Sequence, residues 1–302
     1  MSAVGAAVGH TPRFTTSDGA ELHVVDTGPR DATTTTVLVH GWTLDHTSWD
    51  EVARGLPGRV LRYDLRGHGR SAPAPEGTAT IARCADDLAE LVGALVPTGR
   101  VLLVGHSMGG MTIMALAEQH PALVDRLAGV VLVATSSGEL AGTTLGLPGA
   151  LGRLFTAGEK AVNRRIARSR RPRLLTRTGA VRPGLRWLLF GERPSWRHVA
   201  MTAQMVGCCH PVAMVAFRDS LDEHDRRRAL AGLARVPAVV LAGTADRLTP
   251  LGHARVIADE LPGAELVVHP GAGHMLPLER AEEVTARITA LLRRPAPGGS
   301  AP

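Results

Sequence analysis

Val101-Leu102-Leu103-Val104-Gly105-His106-Ser107-Met108-Gly109 is the stretch that decides how this chain is read. An apolar run of strand character ends in a serine held between two glycines, and a helix-like run from Met111 to Gln119 follows. A serine at such a strand-to-helix junction is the sequence form of a nucleophile elbow. The spacing has a steric reason: the turn is so sharp that a side chain at Gly105 or Gly109 would crowd it, and the serine takes a strained backbone conformation. The strain lifts the hydroxyl clear of the sheet edge. The N–H of Met108, at the helix start, then points where an oxyanion would form.

The pentapeptide also arises by chance in a chain this rich in glycine and alanine, so the reading depends on finding its partners. A serine hydroxyl is a poor nucleophile at neutral pH and needs a histidine base with a carboxylate that fixes its tautomer. Val236 to Gly243 reads as a buried strand, and Thr244-Ala245-Asp246 leaves its C-terminal end, the rim where sheet ligands bind. A further short strand, Ala264 to Val268, runs into Pro270-Gly271-Ala272-Gly273-His274, a loop able to bring His274 toward Ser107. The bland alternatives are an aspartate that caps a turn and a solvated histidine. The order serine, aspartate, histidine at successive strand ends favours the catalytic reading. A second oxyanion donor is expected from the loop after an earlier strand. Thr36-Val37-Leu38-Val39 is that strand, and in His40-Gly41-Trp42 the glycine lets the backbone turn so that the Trp42 amide faces the elbow.

With these residues in view, the chain resembles the α/β-hydrolase-fold serine hydrolases of the esterase and lipase branch, from about Arg13 to about Leu292. The likeness is carried by His40-Gly41-Trp42, the turn from Tyr63 to Ser71, the elbow, Gly243-Thr244-Ala245-Asp246 and Gly273-His274. It implies a catalytic set of Ser107, Asp246 and His274, an oxyanion hole from the backbone of Trp42 and Met108, and a fold-shaping role for the segment from Asp64 to Ser71. Epoxide hydrolases and haloalkane dehalogenases of this fold carry aspartate at the elbow, and the former also use cap tyrosines. Here the elbow holds Ser107 and Tyr63 is the one tyrosine, which disfavours both activities. His40-Gly41-Trp42-Thr43-Leu44 is also similar to the opening of cofactor-free perhydrolases, in which proline usually follows the loop aromatic. Thr43 stands at that place, so perhydrolysis is expected as a side reaction at most.

A chain of 302 residues with 44% hydrophobic content buries a substantial core. Strands expected near 22–26, 36–39, 59–63, 101–105, 129–134, 237–243 and 264–268 alternate with helical segments, among them 86–95, which leads into the nucleophile strand. That alternation predicts an α/β fold with a mostly parallel sheet flanked by helices. It breaks between Thr135 and about Ala234, where the family places a mainly helical cap. The expected division is therefore a core of 1–135 and 235–302, with loose termini at 1–11 and 295–302, and a cap insertion at 136–234.

Charge is concentrated in that insertion. Residues 151–200 hold thirteen basic side chains and two acidic ones, in a chain whose formal charge is +6. Interspersed with Leu, Trp and Phe, they form either an electropositive lid, which would attract anionic substrates or the surface of an acidic membrane, or a solvated arginine-rich helical face. The solvated face is the reading favoured by the composition, and nucleic-acid binding is not expected, since no binding motif accompanies the charge. Within the insertion, Trp187 and Phe190 are the candidate substrate-binding residues. Cys84, Cys208 and Cys209 imply no disulfide framework, and Cys208-Cys209-His210 lacks metal-ligand spacing. Met1 to Gly9 lacks the features of a signal peptide and no stretch reaches 18 apolar residues, so a cytoplasmic protein without a membrane span is expected.

The sequence thus reads as a serine hydrolase acting through an acyl-enzyme on a small-molecule carboxylic ester with a partly apolar group, needing neither metal nor organic cofactor. Two alternatives stay open: a ligand receptor that keeps the fold and triad but signals through a partner, and an acyltransferase or perhydrolase in which another acceptor replaces water.

Overall fold

The computed structural model describes residues 13–140 and 173–294, with 166 and 171. The expectations for the two chain ends, and for much of the arginine-rich segment before residue 173, lie outside the described residues.

Eight strands form one sheet in the order β1-β2-β4-β3-β5-β6-β7-β8. They are β1 (Arg13–Thr15), β2 (Glu21–Thr27), β3 (Thr34–Val39), β4 (Arg59–Tyr63), β5 (Arg100–His106), β6 (Leu127–Val133), β7 (Ala238–Gly243) and β8 (Glu265–His269). β1 pairs with β2, and β2 with β4, in antiparallel fashion; every other pairing is parallel. This is the α/β-hydrolase fold. The seven expected strands all form, and β1 is an addition too short to leave an apolar pattern.

Alternation along the central strands shows why these runs are apolar throughout. Val37, Val101, Leu103, Val130, Leu132 and Val240 point into one buried layer, while Leu38, Leu102, Val104, Val131, Val133, Val239 and Leu241 point into the other. A parallel sheet covered on both faces has no solvent side to mark with polar residues. The first layer is closed by Ile81–Leu95 and Met108–Gln119, the second by Ala281–Leu292 and Val52 of the helix Asp50–Gly55.

The Ile81–Leu95 helix starts five residues earlier than its apolar spacing suggests, because the Thr80 hydroxyl caps it by accepting from the Arg83 amide. Its buried Asp87 accepts from Nε and Nη2 of a fully buried Arg66 at 2.7 and 2.6 Å, while Arg66 Nη1 donates to Asp18 at 2.9 Å. Asp64, two residues before Arg66, accepts from the His46 amide at 2.7 Å, from His46 Nδ1 at 2.8 Å and from the Arg70 amide at 2.8 Å. The buried charges of the turn from Asp64 to Ser71, on Asp64 and Arg66, are therefore engaged by partners within it and on neighbouring elements, in keeping with a fold-shaping role.

Between β6 and β7 the described residues carry the helices Arg182–Leu189, Trp196–Cys208, Pro211–Asp222 and Leu230–Leu233, with a short 3-10 turn and no strand. No single helix among the described residues is long and apolar enough to cross a membrane.

Candidate active site

Parallel strands deliver their C-terminal ends to one edge of the sheet, and every residue singled out on the core lies just past such an end. Trp42 follows β3, Ser107 follows β5, Asp246 follows β7 and His274 follows β8. Successive connections diverge between β3 and β5, since β4 lies on one side of β3 and β5 on the other. Crevices of this fold class open at such a point.

Ser107 has φ +52° and ψ −119°, a left-handed conformation for a residue with a Cβ. The turn is held by its neighbours: the Ser107 amide donates to Val133 O at 2.9 Å, and Ser107 O accepts from Gly110 N at 2.9 Å and Thr135 Oγ1 at 2.7 Å. The glycines are sterically required. A Cβ at Gly105 would stand 2.5 Å from the Gly109 backbone, and one at Gly109 would stand 2.3 Å from Val39 O. The helix begins at Met108 rather than at Met111, because Ser107 O collects the amides of both Gly110 and Met111 and draws the glycines into the first turn.

His274 Nδ1 donates to Asp246 Oδ2 at 2.9 Å. The carboxylate is filled by three further bonds: Leu248 N and Thr249 N to Oδ1 at 2.8 and 3.0 Å, and Thr249 Oγ1 to Oδ2 at 2.8 Å. Burial by itself would raise the Asp246 carboxyl, but the charge and hydrogen bond of His274 and the Thr249 donors outweigh it and hold the group below its ordinary value. Asp246 is thus an ionised acceptor whose position is set on both oxygens. The His274 carbonyl in turn accepts from His106 Nε2 at 2.9 Å, and the two imidazoles lie 4.9 Å apart. Since His106 precedes Ser107, this bond brings the His274 loop against the elbow.

On the opposite side, a Cβ built at Gly41 would lie 3.1 Å from both Ser107 Cβ and His106 Nδ1, so the loop after β3 passes directly beside the elbow. His40 fixes that loop. Its Nδ1 donates to Gly41 O at 2.8 Å, and its Nε2 accepts from Leu65 N at 2.9 Å. One ring nitrogen donates and the other accepts, which requires a neutral imidazole; burial accordingly pushes the His40 pKa down to about 3. Trp42 is anchored by its indole N–H to Met214 O at 3.1 Å, on the Pro211–Asp222 helix. Among the described residues neither the Trp42 nor the Met108 amide donates to a protein acceptor.

Trp187 and Phe190 stand apart from each other. Trp187 is 45% exposed, with the Arg247 guanidinium 5.1 Å from its ring and donating to its carbonyl at 2.6 Å. Phe190 is 1% exposed, in a cluster with Leu44, Val199, Met205, Met275 and Leu278 that seals the insertion onto the His274 loop. Sequence reasoning missed Thr249 and His106. For Thr249 a signal existed, since an aspartate followed three residues later by a hydroxyl residue is a local turn pattern.

One set of three potential metal ligands occurs among the described residues, His23, His46 and Asp64, with ligand atoms within 4.8 Å of one another. Its carboxylate already accepts the three bonds that build the Asp64 turn, so the donors are engaged in the fold.

Residues 36–287 match the model of the alpha/beta hydrolase family. The chain is 31% identical, over 251 residues, to a pimeloyl-[acyl-carrier protein] methyl ester esterase of Chromobacterium violaceum, covering 79% of this chain and 86% of that protein. It is 29% identical, over 264 residues, to a dihydrolipoyllysine-residue acetyltransferase component of an acetoin cleaving system from Pseudomonas putida. That match covers 85% of this chain but spans only 63% of the relative's length. Among solved structures it resembles a thermophilic esterase from Thermogutta terrifontis, with a TM-score of 0.75 and 30% identity over 96% of this chain and 98% of that one.

Proposed function

The chain belongs to the alpha/beta hydrolase family, and from that premise we propose that it is a carboxylic ester hydrolase working through an acyl-enzyme on Ser107. The observation that carries the reading is the pairing of His274 Nδ1 with a filled, ionised Asp246 while the carbonyl of the same histidine is tied to the residue before Ser107.

With Nδ1 donating to Asp246, the neutral ring leaves Nε2 as its basic atom. In the proposed mechanism Nε2 takes the Ser107 proton as Oγ attacks the ester carbonyl, and Asp246 stabilises the imidazolium that results. The amides of Trp42 and Met108 receive the oxyanion, and their lack of protein acceptors supports that assignment. His274 then returns the proton to the leaving alcohol. Water activated by the same nitrogen releases the acid. Every step is a proton transfer or acyl transfer between these residues and the ester, so the scheme calls on no metal or organic cofactor.

We take 136–234 as a cap over a core of 1–135 and 235–302, with Trp187 at the entrance and Phe190 packed behind the base loop. The partner is a small-molecule ester with a partly apolar group. Three free thiols suit a reducing compartment, which supports a cytoplasmic setting. Hydrolysis of a p-nitrophenyl ester series from acetate to palmitate, by the wild type and by Ser107→Ala, tests the proposal. Turnover retained by the variant refutes it. Faster product formation on adding alcohols or thiols, with transfer products detected, would favour an acyltransferase, the chemistry named for the Pseudomonas relative.

A further inference from the structure

We infer that Glu279 is a positioning residue through which the cap segment Leu189–Glu192 sets the place of His274. The inference rests on the proposed role of His274 and concerns how that histidine is held.

Beside the packing of Ala272 and Met275 and the His274–Asp246 bond, the loop that carries His274 is held by its backbone. Its amides at Gly273 and Met275 donate to the Glu279 carboxylate at 3.1 Å each. The same carboxylate accepts from the amide of Gly191, in the cap segment, at 2.8 Å. The intervening His274 amide donates to Leu189 O at 2.8 Å, Met275 N also reaches Leu189 O at 3.2 Å, and Glu192 N donates to Gly271 O at 2.9 Å. Cap segment and base loop therefore run side by side as a short irregular ladder, with one carboxylate bridging both.

Two features distinguish this bridge from ordinary surface pairing. Burial pushes the Glu279 carboxyl above its usual range, while the three backbone donors and then Arg280 favour its ionised form. A buried carboxylate is retained only where such donors compensate its desolvation. The approach is also too close for side chains, since a Cβ on Gly191 would stand 2.0 Å from Gly271 O. No slack remains in the ladder. A shift of the cap segment is transmitted to the His274 backbone rather than absorbed, and a displacement on the order of 1 Å in a reacting group costs about a hundredfold in rate.

The test uses Glu279→Gln and, separately, Gly191→Ala, which pushes the two backbones apart and leaves Glu279 intact. For each, kcat and KM on p-nitrophenyl butyrate, the rate at which a fluorophosphonate labels Ser107, the Tm, and the downfield proton resonance of His274 Nδ1–H are measured. Expected is a fall in kcat and labelling rate of roughly 10- to 100-fold, with KM within about twofold and the downfield resonance shifted or lost. Glu279→Asp, which keeps the charge with a shorter reach, should recover part of the loss. Wild-type kcat and resonance in folded Glu279→Gln, even with a lowered Tm, would overturn the inference, leaving Glu279 a stabilising residue only. Should Glu279→Gln not fold, Glu279→Asp decides in its place: wild-type kcat and resonance in that variant would overturn the inference. Full activity of His274→Gln would instead strike the triad reading itself.

Discussion

His106 Nε2 donates to the main-chain carbonyl of His274 at 2.9 Å, so the residue before the elbow serine holds the loop of the residue proposed as its base. His106 is fully buried, and burial together with the nearby His274 pushes its pKa down to about 3. A neutral ring that must donate from Nε2 leaves Nδ1 bare, facing Gly41 without a partner. The elbow, the base loop and the loop after β3 thus meet on one imidazole.

Replacing Ser107 by alanine should leave fold and Tm intact and lower kcat by roughly 10⁶-fold, the scale seen when a triad nucleophile is removed. Steady-state assays with stoichiometric phosphonate labelling check it. More than a few per cent of wild-type activity in a clean preparation would exclude Ser107.

For Asp246→Asn we expect a loss of about 10⁴-fold in kcat, because an amide favours the wrong imidazole tautomer, and His274→Gln should be at least as damaging. Thr249→Val removes one of four donors to the carboxylate and should cost about tenfold, the equivalent of one hydrogen bond to a charged group. If Asp219 or Asp222 proved essential while Asp246→Asn stayed near wild type, the acid would have been misassigned.

Gly109→Ala places a methyl 2.3 Å from Val39 O and 2.9 Å from His40 O, backbone atoms that cannot swing aside as a side chain would. Destabilisation of about 3 kcal/mol or more should follow, read as a lowered urea midpoint. A near-wild-type midpoint would contradict the elbow geometry.

Acid should destabilise the protein between about pH 6.5 and pH 4. His40, His68 and His106 are buried and held neutral, with pKa values pushed down to about 3, 4 and 3 from an ordinary 6.5. Below 6.5 the unfolded chain binds protons that the folded one refuses, so stability falls as pH falls, by up to about 1.4 kcal/mol per pH unit for each histidine. Urea unfolding at pH 7, 6 and 5 measures the slope, and His68→Phe should reduce it by about one proton. A flat profile would show that these rings accept protons in the fold.

Near the proposed entrance, Arg247 packs over Trp187 directly after Asp246 in the chain. Trp187→Ala should shift the preferred acyl length through KM more than kcat. If the arginines steer substrates, kcat/KM for an anionic ester should fall with added salt while a neutral ester is unaffected, since screening acts over about 10 Å at 0.1 M. Equal salt dependence for both would leave a solvated basic surface.

The parallel core was legible because its signals are local. Buried strands read as unbroken apolar runs, the elbow needs glycine at fixed spacing, and Asp246 and His274 follow strand ends that a parallel sheet must bring to one edge. The start of the Ile81–Leu95 helix was misjudged because its cap, Thr80, lies outside the apolar repeat, and β1 was missed because three residues carry no period.

Only the tertiary structure decided how the site is held. His106 donates to a carbonyl 168 residues away, and Glu279 gathers amides from the cap segment and the base loop. Their partners are backbone groups, which every residue possesses and which therefore leave no mark in the sequence. Phe190 and Trp187, three residues apart, were alike as aromatics in an arginine-rich stretch; packing put one in a sealed cluster and the other at the surface. Side-chain identity and spacing specify which residues reach the sheet edge, whereas the long-range pairing of main-chain donors and acceptors fixes where they stop.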